Sequence, residues 1–245
     1  MENKTGKYLK YAIGEIVLVV IGILIALQIN TWNENKKKTV LEIKHLKELK
    51  SDIVETLKDV NKDVKYQNKN IQSILYLQDF FFNKIPYHDS LSYHFYRTIE
   101  DSQLYPKTAA LESIKSIGLD IISNDSLRLG VTGFFQIQIK DAVDMGRISQ
   151  GSINNISKLW PYFENHFKQV DLPIKNDGSW YDLVEHRPRQ WKVINVEALQ
   201  NDNKLQLKLN RTLMFRQAVV KILNEINLNG EKLLELIDDE IFKLD

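Results

Sequence analysis

The stretch Tyr11–Trp32, YAIGEIVLVVIGILIALQINTW, indicates whether this part of the chain lies in water or in a lipid bilayer. No residue from Ile16 to Leu27 carries a polar side chain. With its flanks the apolar stretch is about 20 residues long, which is what a helix needs to cross the ~30 Å hydrocarbon core of a bilayer. We therefore predict a transmembrane helix over residues 11–32, preceded by a short cytoplasmic N-terminus at residues 1–10.

A signal peptide and a soluble core helix both fit this stretch less well. Lys4, Lys7 and Lys10 resemble the basic start of a secretory signal peptide, but no small-x-small cleavage site follows around Ala26. The chain has no cysteine, which excludes a lipoprotein anchor. A core helix of a soluble bundle would keep a polar face, which residues 16–27 lack. An uncleaved membrane anchor is the remaining interpretation.

The predicted membrane helix has two different faces. At about 100° per residue, its small residues and its one charge fall on one side, opposite a side of large aliphatic residues. The first side contains Gly14, Glu15, Gly22 and Ala26. Small residues let two helix backbones approach closely within a bilayer, so we predict that this face contacts another membrane helix.

Glu15 is the one charged residue of the predicted span. A carboxylate inside a membrane is costly unless it is neutralised, paired or close to the headgroups. Glu15 lies about four residues inside the span, roughly 6 Å of helix rise, so its side chain can reach the interface. We favour placement or pairing at the cytoplasmic edge. A cationic partner on another membrane helix and a proton-carrying role are the alternatives.

Composition and charge exclude several functions. A formal net charge of +1 argues against a nucleic-acid partner. The absence of cysteine removes disulfides, thiol nucleophiles and sulfur-ligated metals. His88 and His94 lie near acidic residues, but their spacing matches no known ligand pattern on a helix, so we predict no metal and no cofactor. The other histidines lie far from one another and from any nucleophilic serine. We therefore predict no catalytic residue and no enzyme activity.

More lysines follow the apolar stretch than precede it, so a simple count of flanking positive charges favours a cytoplasmic location for the long C-terminal side. That rule applies to short loops. Long domains are exported largely regardless of their charge, whereas a short N-terminus before a first span usually stays inside. We expect residues 33–245 to form one extracytoplasmic domain.

The region after the membrane segment reads as one long amphipathic helix. Apolar residues recur every three or four positions from Leu46 to Ile74, with Gln67 filling one turn, and no Pro or Gly lies between Ala26 and Phe82. One helix can therefore run outward for some 70 residues, roughly 100 Å, before it ends at Asn83–Pro86. A coiled coil between chains and packing on the chain's own core both fit. The seam lasts only about four heptads, so we favour intramolecular packing.

The remainder is also predicted to be helical. Residues 106–135 read as a helical hairpin in which Gly118 ends the first helix and Ser123–Asp125 supply the N-cap of the second. We expect breaks at Trp160–Pro161, at Pro173 and at residues 176–178.

Near the C-terminus, an amphipathic helix around residues 213–226 is expected to end in a turn at Asn229–Gly230. The acidic tail 231–245 should then pack antiparallel against the basic start of the long helix. Arg187, Arg189 and Lys192 lie near tryptophans and fit either an anion- or phospholipid-facing patch or a solvated loop, which we favour.

Two segments carry a family resemblance: YAIGEIVLVVIGILIALQINTWNE at 11–34 and LESIKSIGLDIISNDSLR at 111–128. They resemble a domain of unknown function found in uncharacterised single-span membrane proteins of Bacteroidota, although Thr31 replaces an expected Asn. The resemblance implies a Gram-negative host and an inner-membrane position with a periplasmic C-terminal domain. It implies no activity, ligand or catalytic residue.

Together these features predict an all-α fold: an N-terminal transmembrane helix that continues into a long helix and an exported helical bundle. The expected function is a non-enzymatic scaffold or adaptor subunit of a cell-envelope complex. A stator-like energy-coupling subunit that uses Glu15 is the alternative. The expected partners are the lipid bilayer and either a membrane or periplasmic protein or a second copy of the chain.

Overall fold

The computed structural model describes residues 4–100, 102–150, 153–170 and 191–245, and confirms the all-α prediction. The helices are α1 Lys4–Phe82, α2 Leu91–Ile99, α3 Ala109–Ile117, α4 Asp125–Gly133, α5 Lys140–Gln150, α6 Ile153–His166, α7 Val196–Gln200 and α8 Asn203–Leu244. A 3₁₀ turn, Leu119–Ile121, precedes α4, and a π-helical segment, Phe134–Ile139, joins α4 to α5. Two short strands, β1 Phe167–Gln169 and β2 Trp191–Val193, pair antiparallel and were not predicted.

Helix α1 is one unbroken helix of 79 residues, as predicted. It ends at Phe82, two residues before Lys84 adopts a left-handed φ of 50°. Its N-terminal part is long and apolar enough to cross a membrane, with a mean hydropathy of 2.3 over its most apolar 18 residues, none of which is buried. The same helix therefore carries an exposed apolar segment at one end and core residues at the other.

Helix α8 returns antiparallel along α1, which confirms the predicted pairing of the chain ends. Lys50 donates to both carboxylate oxygens of Asp238, at 2.5 and 2.8 Å. The turn predicted at Asn229–Gly230 is wrong, because α8 continues through both residues. Gly230 instead allows close approach of the two helices: a Cβ there would lie 2.7 Å from Cδ2 of Leu57.

The apolar residues of the bundle form two separate cores along α1. The proximal core, nearer the apolar segment, joins Leu46–Val60 of α1 to α3, α4 and the C-terminal half of α8. The distal core joins Ile71–Phe81 to α2, α6, β1 and the N-terminal part of α8. Because the heptad seam of α1 is buried within its own chain, the intramolecular interpretation is confirmed.

The predicted hairpin is also confirmed. Gly118 follows α3 with a φ of 109°, a backbone conformation that favours glycine. Asn124 caps α4 by accepting a hydrogen bond from the backbone N–H of Leu127 at 3.1 Å.

The break predicted at Trp160–Pro161 is wrong, since Pro161 lies inside α6. Leu159 and Phe163 are buried on either side of the proline, and their packing offsets the backbone hydrogen bond that proline cannot donate. Pro173, residues 176–178, Arg187 and Arg189 lie outside the described residues.

Candidate interaction site

The four residues of the predicted membrane contact lie along the exposed N-terminal part of α1. Glu15 and Ala26 are exposed, and nothing lies within 4 Å of the Cβ positions that side chains at Gly14 and Gly22 would occupy. Within one chain this face has no neighbour among the described residues. Its contact with another helix stays a prediction.

A turn at the base of the bundle is held by two buried carboxylates. Glu42 of α1 accepts hydrogen bonds from the backbone N–H and the hydroxyl of Ser123, at 2.7 and 2.9 Å. Glu240 of α8 accepts one from Nδ2 of Asn124 at 2.6 Å. Since Asn124 also caps α4, this one residue connects the hairpin to the C-terminal helix. We call these four residues the basal clamp.

The sequence interpretation assigned Asn124 to capping alone and missed both carboxylates. A signal for them was present in the spacing. Glu42 precedes Leu46 by four residues, and Glu240 follows Ile237 by three, so each carboxylate continues a buried apolar stripe. A charged residue on such a stripe requires a hydrogen-bonding partner.

A buried polar layer separates the proximal and distal cores. Arg216 of α8 is 5% exposed and donates from Nη1 to Oε1 of Gln67 at 2.6 Å. Its Nη2 donates to the carbonyl of Thr98, at 3.2 Å, and to that of Glu100. These carbonyls end α2, where the partial negative charge of the helix terminus stabilises a cation. Gln67, the polar interruption in the α1 seam, thus has a defined role.

Beside this layer, three side chains form a network between α1 and α2. Glu100 accepts from Nη1 of Arg97 at 2.5 Å and from the hydroxyl of Tyr66 at 3.1 Å. The Arg97 guanidinium lies 4.7 Å from the centre of the Tyr66 ring. Burial, and secondarily the Glu100 carboxylate, raise the pKa of Tyr66 far above its ordinary value. Tyr66 therefore remains a hydrogen-bond donor throughout the physiological range.

The same network forms the floor of a groove between α1 and α2 with lysines along its rim. We call it the basic groove. Its lining residues are Lys62, Lys65, Tyr66, Lys69, Tyr93, Tyr96, Arg97 and Glu100. The three lysines are exposed, and by helix periodicity they lie on the side of α1 that faces away from its buried stripe. This groove presents positive charge to the solvent.

A second groove has the opposite charge. It lies where the π-helical segment and α5 meet α8, and we call it the acidic groove. Its lining residues are Ile137, Gln138, Asp141, Asp144, Met145, Ile222, Glu225, Ile226 and Asn229. Gln138 accepts a hydrogen bond from Nδ2 of Asn229 at 3.1 Å, which ties the π-helical segment to α8. Its lining combines apolar side chains, such as Ile222 and Ile226, with the carboxylates of Asp141, Asp144 and Glu225.

His166 has a structural partner in Asp202. Nε2 of His166 lies 2.7 Å from Oδ2 of Asp202, whose other oxygen accepts from the backbone N–H groups of Lys204 and Leu205 and so caps α8. Burial alone would raise the pKa of Asp202, but the hydrogen bonds from His166 and the backbone hold it below its usual value. The pair was not predicted, because the two residues are distant in the chain.

The candidate metal ligands of the sequence do not converge. His94 contacts the hydroxyl of Ser73 at 3.1 Å, and His88 contacts that of Ser90 at 2.9 Å. Burial lowers the pKa of His94 and so favours its neutral form. Within the described part of the chain, no three side chains of His, Asp or Glu are grouped to hold a metal ion.

These features define a helical-bundle protein whose first helix extends into an exposed apolar segment. The chain belongs to DUF6090, a family of unknown function, whose model matches residues 15–185. The matched range includes most of the apolar segment, the helical hairpin and the basic groove, whereas α8 lies beyond it. No curated protein and no solved structure matches the chain significantly.

Proposed function

We propose that this protein is a non-enzymatic scaffold or adaptor of a cell-envelope complex, anchored in the inner membrane by one span and carrying its bundle in the periplasm. The observation that carries the proposal is the continuity of α1, which contains both the exposed apolar segment and one wall of both cores. Anchor and bundle therefore share one helix with no linker between them.

The exposed segment requires an apolar environment. Ile16, Leu18 and Leu24 are 63%, 71% and 58% exposed, and their neighbours are similar. Monomeric soluble proteins rarely expose an apolar surface of this extent. Inserted in a bilayer, the same side chains contact lipid, and every backbone group within the helix already has its hydrogen-bond partner.

The geometry above the anchor fits a scaffold. The basal clamp ties α1, the hairpin and α8 together near the base of the bundle. Beyond it, the bundle presents two grooves of opposite charge at a distance from the membrane that α1 fixes. A protein of this form holds a binding surface at a set height and orientation.

The test is fractionation of cells that produce the full-length chain. We expect the protein to stay in the membrane pellet after alkaline extraction. Val20→Arg should release much of it, since an arginine at the centre of a span costs roughly 3 kcal/mol. Met214→Arg, at an exposed position of α8, is the matched control and should stay in the pellet. Release of the unchanged protein by alkali would overturn the anchor.

Orientation is tested on the same chain with a reporter fused after Asp245. A reporter that is active only outside the cytoplasm should be active, and one that is active only inside should not. The reverse pattern would place the bundle in the cytoplasm and contradict the periplasmic assignment.

A second candidate function rests on Glu15, the one charged residue between Lys10 and Glu34. A titratable carboxylate in a single span, below an exported domain, suits a stator-like subunit that couples to proton movement. This layout alone supports the candidate, so we rank it second.

A further inference from the structure

The two grooves carry charged side chains that have no ion-pair partner within the described part of the chain. Among the described residues, Lys65 and Lys69 of the basic groove form no ion pair, and neither do Asp141, Asp144 or Glu225 of the acidic groove. Within the described ranges, the ion-pair partner of Lys62 is Asp59 on its own helix, at 3.0 Å. Because the basic groove is built from α1 and α2 and the acidic groove from α5 and α8, one chain cannot bring them together.

The two grooves lie at the same height along the bundle. Nδ2 of Asn227 donates to Oδ1 of Asn61 at 3.1 Å, which fixes the register of the antiparallel helices α1 and α8. Glu225 lies two residues before Asn227 on α8. Because the helices are antiparallel, it is therefore level with the segment of α1 between Lys62 and Lys65. The acidic edge of one groove thus matches the basic rim of the other in distance from the apolar segment.

We propose that two copies of the chain, standing side by side in one membrane, associate by placing the basic groove of one copy against the acidic groove of its neighbour. The proposal rests on the membrane anchoring proposed above, because a shared bilayer gives both copies the same height and direction. The contact joins two different surfaces, so it builds rings or rows rather than a closed two-fold dimer.

The height of the lysines on α1 decides which basic surface of a neighbouring copy can meet the acidic groove. The lysine run at residues 36–38 is another basic cluster of α1, but it lies about 25 residues below Lys62, roughly 37 Å of helix rise. In a neighbour anchored in the same membrane, that run stays far beneath the acidic groove. Lys65 and Lys69 lie at the required height.

The absence of cysteine in the natural sequence permits a direct test. Two full-length copies with different tags are produced together, one with Asn68→Cys beside the basic groove and one with Ile137→Cys in the acidic groove. Both positions are exposed. A short bismaleimide added to membranes should link the two tags. Copies that both carry Asn68→Cys, or both carry Ile137→Cys, should give little product.

A charge exchange tests the same contact independently. Lys65→Glu with Lys69→Glu, in the copy with Asn68→Cys, should lower the linked product several-fold. Adding Asp141→Lys and Asp144→Lys to the neighbour should restore it. Lys204→Glu with Lys232→Glu, at exposed positions outside both grooves, is the matched control and should have no effect. Raising the salt from about 0.05 M to about 0.5 M should lower the yield, because exposed charges are then screened.

Three results would overturn the proposal: equal product from same-site pairs, a yield that does not respond to the charge exchange, or linkage only to a different protein. Alkaline extraction of the same membranes separates this failure from that of the proposed function. Anchored protein without the linked product leaves the membrane anchor intact and refutes only the side-by-side contact. Protein released by alkali refutes both.

Discussion

Glu42 and Glu240 are far apart in the sequence, on α1 and α8, yet both accept hydrogen bonds from the single turn Ser123–Asn124. Each is buried, at 4% and 7% exposure, and each accepts a hydrogen bond from the turn. A buried carboxylate is stable only when such bonds replace the lost water. The short turn between α3 and α4 therefore determines how α1 and α8 close at the base of the bundle.

The first prediction concerns this turn. Asn124→Asp keeps the N-cap but replaces the amide donor with a carboxylate next to Glu240, so the free energy of unfolding at pH 7 should fall by about 1.5–3 kcal/mol. Glu240→Gln in the same chain should recover part of the loss. Asp125→Asn, at the neighbouring exposed residue, should change stability by less than about 1 kcal/mol. Equal losses from the substitutions at 124 and 125, measured by urea unfolding, would refute the clamp.

The second prediction concerns Gly230 and Leu57. Alanine is favoured over glycine within a helix by about 1 kcal/mol, but a Cβ at Gly230 overlaps the buried Leu57 side chain, and overpacking costs about 1–3 kcal/mol. Gly230→Ala should therefore destabilise the natural chain, by about 1 kcal/mol. In a Leu57→Ala background, which removes the overlap, the same change should stabilise. An identical effect in both backgrounds would show that the two residues do not interact.

The third prediction is a pH dependence. The pKa of Asp202 is lower in the folded chain than the unfolded value of 3.8, so its contribution to stability is present above that value. The contribution disappears as the pH falls through the lower, folded pKa. Asp202→Asn retains the capping oxygen without the charge and should be less stable than the natural chain at neutral pH.

The stability difference between these two proteins should shrink as the pH is lowered from about 7 to about 2, measured by urea unfolding at each pH. Asp120→Asn is the control: its side chain is fully exposed and lies 4.0 Å from one nitrogen of Arg128, so this change should alter stability at neutral pH by less than about 1 kcal/mol. A stability difference for Asp202→Asn that stays constant with pH would mean that neither the His166 contact nor the backbone hydrogen bonds stabilise the charged carboxylate.

The fourth prediction concerns the small-residue face of the apolar segment of α1. If Gly14, Gly22 and Ala26 contact another helix, Gly22→Ile should weaken association within the bilayer by about 1–2 kcal/mol. Ile23→Val, on the opposite face, should leave association unchanged. A genetic two-hybrid assay of the isolated span, or energy transfer between labelled copies in detergent, measures both. Similar effects from the two changes would show that the faces are assigned incorrectly.

The fifth prediction separates the two candidate functions. Glu15→Gln keeps the shape and hydrogen-bonding capacity of the side chain but cannot release a proton. A scaffold should tolerate it, with the same amount of protein in the membrane and at most a modest loss of the copies recovered in a two-tag pull-down. An energy-coupling subunit should assemble normally and fail to complement a deletion strain. The second result would reverse our ranking.

Much of the fold was predictable because it depends on local signals. The length of α1 follows from the lack of Pro and Gly between Ala26 and Phe82, and its end follows from Asn83 to Pro86. Gly118 and Asn124 mark the hairpin because their roles depend on backbone conformation and on hydrogen bonds to near neighbours. The buried stripe of α1 was likewise visible from its spacing.

The incorrect and missed features depend on residues far apart in the chain. A glycine in a helix is consistent with both a turn and a close approach, and only the position of Leu57 decides between them at Gly230. From the sequence, Gln67 is only a polar interruption of the apolar seam. Its role depends on the hydrogen bond from Arg216, a residue 149 positions later in the chain. Each groove lies between two helices, and the sequence alone does not show which helices pack against each other.

The antiparallel return of α8 has a mechanical consequence. It brings Asp245 back to the base of the bundle. A load applied between the apolar segment of α1 and the C-terminus therefore pulls the two long helices apart from the same end. Such a load peels them open in sequence, beginning with the basal clamp and the Lys50–Asp238 contact, instead of shearing all contacts at once. The Arg216 layer lies further along this path, between the core that opens first and the core that opens last.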